Sequence, residues 1–98
     1  MQIEWTLSAQ RDLRKVYQFY ELNFSEKIAQ KVVSRILKTS KNLKYGKSIG
    51  QEEELLKKLN QNHRYLLSEH NKIIYKVEQN VIYITHVFDT RQNPNKLK

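Results

Sequence analysis

Residues 62–94 read NHRYLLSEHNKIIYKVEQNVIYITHVFDTRQNP, and this stretch decides the fold. Arg64 to Ser68 is a short apolar-rich run, and Lys72 to Val77 reads Lys, Ile, Ile, Tyr, Lys, Val. Val81 to Phe88 is apolar or aromatic at all but two positions. Segments this short, rich in β-branched residues and bounded by polar ones, favour strands over helices. Glu78-Gln79-Asn80 predicts a hairpin connection, with Asn80 able to take a positive φ. Under strict alternation the last strand is apolar on both sides. Ile82, Ile84 and Phe88 fall on one face, and Val81, Tyr83 and Val87 on the other. A sheet with one solvated face alternates apolar with polar residues. The second apolar side therefore predicts either a cover on both faces, a first hint of a partner, or a central strand.

Upstream, Gln2 to Leu7 alternates Ile3, Trp5 and Leu7 with polar residues, which predicts a first strand with Trp5 in the core. Ser8 is then the expected cap of a helix whose apolar stripe is Ala9, Leu13, Val16, Tyr17 and Tyr20. A second helix starts after Ser25, with Ile28, Ala29, Val32, Val33, Ile36 and Leu37 as its stripe and Lys27, Lys31, Arg35 and Lys38 opposite. So short a connection makes the two helices an antiparallel hairpin, and each needs a sheet beneath it to be stable. Asn42 to Gly50 is a basic passage punctuated by Gly46 and Gly50. Glu52 to Leu59 fits either a helical turn, with Leu55, Leu56 and Leu59 inward, or an irregular lead-in to a strand. The predicted order is β-α-α-β-β-β with a short element before the last three strands. This is an α+β fold in which the helical hairpin packs on a small antiparallel sheet, and residues 1–98 form a single domain.

Ninety-eight residues suffice for one two-layer core. Without cysteine there is no disulfide framework or thiolate chemistry. The N-terminus has no apolar leader core and no stretch approaches a membrane span, so a cytoplasmic protein is expected, with no membrane partner. The formal charge is +8, from 18 basic and 10 acidic residues. Residues 1–50 hold ten Lys/Arg against four Asp/Glu, and residues 51–98 eight against six. The basic surplus, concentrated in the first half, suits nucleic acid or an acidic protein as partner.

The opening IEWTLSAQRDL, the pair HRYLL and NKIIYKV, and the closing THVFDTRQNP come in an order that resembles the RelE/ParE superfamily of toxins from type II toxin–antitoxin modules. The resemblance covers nearly the whole chain, and the closing strand running into Asp89, Arg91 and Pro94 resembles the ParE-like, plasmid-stabilisation branch. Asn71 departs from it, standing where relatives usually carry a tyrosine. The resemblance implies a toxin neutralised by a cognate antitoxin, whose C-terminal segment covers it as strand or helix. Val81, Tyr83 and Val87 are the candidate antitoxin contacts. DNA would be met only through the antitoxin complex.

Two activities are implied by relatives. One is ribosome-dependent mRNA cleavage, a metal-independent endoribonuclease reaction that needs a base, cations over the phosphate and an acid. Its candidates are His63, Arg64, His86 and Arg91, with Tyr65 and Lys72 nearby in sequence. Each has a structural alternative. Arg64 pairs with Glu69, His86 is a hydrogen-bonded core residue, His63 and His70 are surface loop residues, Asp89 pairs with Arg91, and Tyr75 packs against Tyr83 across the hairpin. The other activity is inhibition of DNA gyrase without nuclease chemistry, with Lys31, Arg35 and Arg91 as target-binding candidates. The tail RQNPNKLK lacks the tyrosine and added basic residues of the RelE-like branch, which favours gyrase. A non-toxic relative that only binds its antitoxin is the third possibility. No cofactor or metal is implied by any of the three.

Overall fold

The computed structural model describes residues 2–46 and 50–91; Lys47 and the tail residues Pro94, Lys96 and Lys98 lie outside the described residues. The elements are β1 (Gln2–Trp5), α1 (Leu7–Asn23), α2 (Glu26–Lys41), β2 (Gln51–Glu52), β3 (Arg64–Ser68), β4 (Asn71–Glu78) and β5 (Val81–Asp89). Short 3-10 turns occupy Asn42–Tyr45 and Glu54–Leu59. The five strands form one sheet in the order β1-β5-β4-β3-β2. All neighbours are antiparallel except β1, which runs parallel to β5 at the edge. This is the expected α+β arrangement, with one parallel pairing added.

β1 is shorter than the sequence pattern suggests. Thr6, not Ser8, caps α1: its hydroxyl accepts from the Ala9 amide at 3.1 Å. The same residue closes the ladder with β5, because its amide and its hydroxyl both donate to the Ile84 carbonyl at 3.1 Å. A residue that ends a strand and starts a helix leaves no room for two more strand positions, so Leu7 lies in the helix, 69% exposed. Ser25 caps α2 as expected, accepting from the Ile28 amide. The region 52–59 combines both alternatives: β2 ends at Glu52, then the 3-10 turn buries Leu56 and leaves Leu55 and Leu59 exposed.

Between β4 and β5 the turn Gln79-Asn80 has positive φ at both residues, 48° and 64°. Two successive positive φ values twist a two-residue hairpin in the sense its strands need. Farther along the pair, Tyr75 is opposite Ile84 but Ile74 is opposite His86, leaving Thr85 as an unopposed bulge residue. The bulge overturns strict alternation. Ile82, Ile84 and Val87 all face the helices with Ile73, Tyr75, Ala9, Val16 and Ile36 in the main core. His86 and Phe88 turn to the other face instead. Asp12 of α1 accepts from the Val87 amide at 3.0 Å, satisfying a donor near the bulge.

Three further expectations are corrected. Glu69 pairs with Arg35 of α2 rather than with Arg64. Tyr75 and Tyr83 stand on opposite faces, since Tyr83 is paired with Lys76 and Tyr75 with Ile84. Val87 is 2% exposed in the core and does not share a surface with Val81 and Tyr83, which are half-buried.

Candidate functional site

The sheet face turned away from the helices carries a group of polar and aromatic side chains. Alternation along β4 places Lys72, Ile74 and Lys76 there, and pairing adds Tyr65 from β3 and Phe88, His86 and Tyr83 from β5. Glu53, 1% exposed, reaches in from the segment after β2. One of its oxygens lies 2.7 Å from Lys72 Nζ, and the other accepts from the Leu55 amide at 3.0 Å. The Lys72 ammonium sits 4.2 Å from the Tyr65 ring centroid and 6.0 Å from that of Phe88. A lysine held by a buried carboxylate between aromatic rings is a brace, since its charge is already compensated. Lys76 is likewise engaged, at 3.0 Å from Glu78 and 3.2 Å from Gln61.

His63, read from sequence as a surface loop residue, is 4% exposed, and its Nδ1 has no hydrogen-bond partner. It immediately precedes β3, and its carbonyl accepts from the Glu53 amide at 2.8 Å. Burial depresses its pKa, and the nearby charges of Lys76 and His86 push it the same way. His86 is half-buried with Nδ1 2.9 Å from Thr85 Oγ1, and burial also lowers its pKa, against a raising influence from Asp12. His70 is exposed in the β3–β4 turn.

The sign of the pH effect follows. Below the ordinary imidazole value of 6.5 the unfolded chain takes up protons that folded His63 and His86 resist. Their contribution is complete above that value and is lost as pH falls through the lowered folded values. We expect thermal stability to decline from about pH 7 to pH 5, with a shallower decline in His63→Gln. Equal slopes in the two proteins would remove His63 from this account.

The other nuclease candidates lie elsewhere. Arg64 is on the helix side of β3, opposite Tyr75, and its Nη1 donates to the Gly50 carbonyl at 2.8 Å. Arg91 donates to Asp89 from Nε at 2.9 Å and from Nη2 at 2.5 Å, and its Nη2 is 3.4 Å from the Tyr20 hydroxyl. Those bonds hold the Asp89 carboxyl below its usual range. The fold brings His63 and His86 to one face and leaves Arg64 and Arg91 apart from them. Lys31 and Arg35 are exposed on α2, and Val81 and Tyr83 are paired with Glu78 and Lys76 at the turn end of β5.

Sequence reasoning missed Glu53, hidden among three consecutive glutamates. The available signal was Lys72, a cation on a strand otherwise rich in apolar residues, where a partly buried charge needs a partner. It also missed an open groove of about 550 Å³ lined by Trp5, Leu13, Tyr17, Val33 and Leu37, with Gln10 and Arg14 at polar positions. Those apolar residues had all been read as core or stripe. Among the described residues no group of three or more His, Asp or Glu could hold a metal ion, and no helix is long and apolar enough to cross a membrane.

A helical hairpin laid on a five-stranded sheet, with one sheet face carrying a compensated polar cluster, defines a small α+β domain. Residues 3–94 match the family described as ParE toxin of type II toxin-antitoxin system, parDE, and the chain belongs to that family. It is thus the toxin component of such a system, with a cognate antitoxin as partner. No curated protein matches the sequence. A solved chain from the chromosomal ParDE TA system from P. aeruginosa is similar in fold, at 24% identity and a TM-score of 0.79. The match covers 91% of this chain and 95% of that one.

Proposed function

We propose that this toxin arrests growth by inhibiting DNA gyrase and that it is not a nuclease. The observation that carries the reading is the dispersal of the groups that cleavage would use. Metal-free phosphodiester cleavage needs base, acid and cation gathered around one phosphate. Here Arg64 is engaged with the Gly50 carbonyl on the helix side, Arg91 is bound by Asp89, and His63 is buried. Lys72 and Lys76, the lysines of the polar face, are paired with Glu53 and Glu78. The target contacts in this reading are Lys31 and Arg35 on α2 together with Arg91. Val81 and Tyr83, half-exposed on the open sheet face, are the antitoxin contacts.

The test expresses the chain alone and measures gyrase supercoiling beside the integrity of ribosome-bound mRNA. Loss of supercoiling with intact messages supports the proposal; cut messages with normal supercoiling replace it with the ribosome-dependent endonuclease reading. Reversing charge at Lys31 and Arg35 together with Arg91→Ala is expected to abolish growth arrest while antitoxin binding persists. Full toxicity in that variant would exclude these positions from the target surface.

A further inference from the structure

Charge in this protein is segregated by layer. Residues 7–46, the helical hairpin and its trailing turn, hold nine Lys/Arg against three Asp/Glu. Cations outside that layer are commonly neutralised: Lys57 lies near Glu52 and Glu54, Lys72 meets Glu53, Lys76 meets Glu78, and Arg91 meets Asp89. On the hairpin, Arg35 pairs with Glu69. Arg11, Lys15, Lys27, Lys31, Lys38 and Lys41 are all exposed and have no ion pair among the described residues.

Their placement is ordered. At 100° per residue, Lys27, Lys31 and Lys38 fall within about 40° of one another on α2, and Arg11 and Lys15 within about 40° on α1. Each stripe lies roughly opposite the buried residues of its helix, Ala29 and Ile36 on α2 and Ala9 and Val16 on α1, so both face away from the sheet. At 1.5 Å per residue, Lys27 to Lys38 spans about 16 Å. A duplex of that length presents on the order of ten phosphate charges.

We propose that the outer face of the helical hairpin binds the phosphate backbone of duplex DNA directly, without sequence readout and without the antitoxin. Duplex DNA fits this face better than an acidic peptide does. The stripes are hydrated lysine and arginine head groups, and a flexible peptide loses ordering entropy that a stiff duplex does not. The inference does not depend on gyrase, because the toxin and DNA alone test it.

The experiment measures fluorescence anisotropy of a labelled duplex of about 20 base pairs, of arbitrary sequence, titrated with the full chain at several KCl concentrations. Binding is expected to weaken steeply with salt. Lys31→Gln/Lys38→Gln should lower affinity about tenfold at low salt and flatten the log–log salt slope by about 1.8, two phosphate contacts' worth. Lys57→Gln/Lys58→Gln, with the same net charge, should change affinity less than twofold, and Lys31→Arg/Lys38→Arg should bind as the parent does. Equal losses in the two glutamine doubles would reduce the effect to net charge and overturn the proposal. So would a parent chain that ignores the duplex at 50 mM KCl but binds a labelled poly-glutamate peptide, which would reassign the face to an acidic protein.

Discussion

Glu53→Ala is expected to cost about 3 to 5 kcal/mol, the range seen when one partner of a buried ion pair is removed. The carboxylate is 1% exposed and its partner Lys72 has a 17% exposed side chain, so the loss strands an ammonium among Tyr65, Phe88 and the sheet. The Leu55 amide also loses its acceptor. Against a total stability of about 5 to 15 kcal/mol for a domain, the variant should be largely unfolded under mild urea. Replacing both partners with apolar residues, as in Glu53→Met/Lys72→Leu, should recover most of the loss, because neither charge then needs compensation. Urea unfolding of the two proteins decides it. A Glu53→Ala cost below about 1 kcal/mol would show that Lys72 finds water or another acceptor.

The second large effect is expected at Gly50. A methyl group there would stand 2.5 Å from the Tyr75 hydroxyl, 2.7 Å from the Tyr65 carbonyl oxygen and 2.7 Å from Tyr75 Cε1. Two of those atoms belong to a ring that is 0% exposed, and the third is backbone of β3, so nothing nearby yields cheaply. The site is also a junction: the Gly50 amide donates to the Tyr75 hydroxyl at 2.9 Å while its carbonyl accepts from Arg64. Gly50→Ala should destabilise by about 3 kcal/mol, at the upper end for overpacking, and Gly50→Val by more. Tyr75→Phe combined with Gly50→Ala should cost less than the two single changes summed, since removing the hydroxyl relieves the 2.5 Å contact that the added methyl creates. Strict additivity in thermal or urea unfolding would refute the contact.

The fold was legible where local rules act without competition. Ser25 caps α2 because nothing else claims its hydroxyl, and Asn80 supplies positive φ in a two-residue turn as its type predicts. Thr6 defeated the reading of the first helix because its hydroxyl caps α1 while its backbone completes the β5 ladder, a tertiary demand with no local trace. In β5 the surplus Thr85 has no compositional mark: a threonine in a strand is ordinary, and only the facing register shows that it is unopposed. The candidate site was less legible for a related reason. His63 sits between polar Asn62 and Arg64, yet it is buried, and the groups whose charges act on it, Lys76, His86 and Glu53, are distant in sequence. Glu69 is five residues from Arg64, yet Arg35, thirty-four residues away, is its partner.

The unopposed threonine lets β5 carry one residue more than the stretch of β4 it pairs with, and the register beyond it fixes which side chains face the helices. Removing Thr85 would close the bulge and leave His86 opposite Ile74 and Val87 opposite Ile73, each side chain on its present face. An imidazole and an aromatic ring would stay outward, and an aliphatic group and a carboxylate inward. A single-codon deletion at the bulge is thus absorbed, whereas drawing Thr85 into the ladder opposite Ile74 would transpose both surfaces at once.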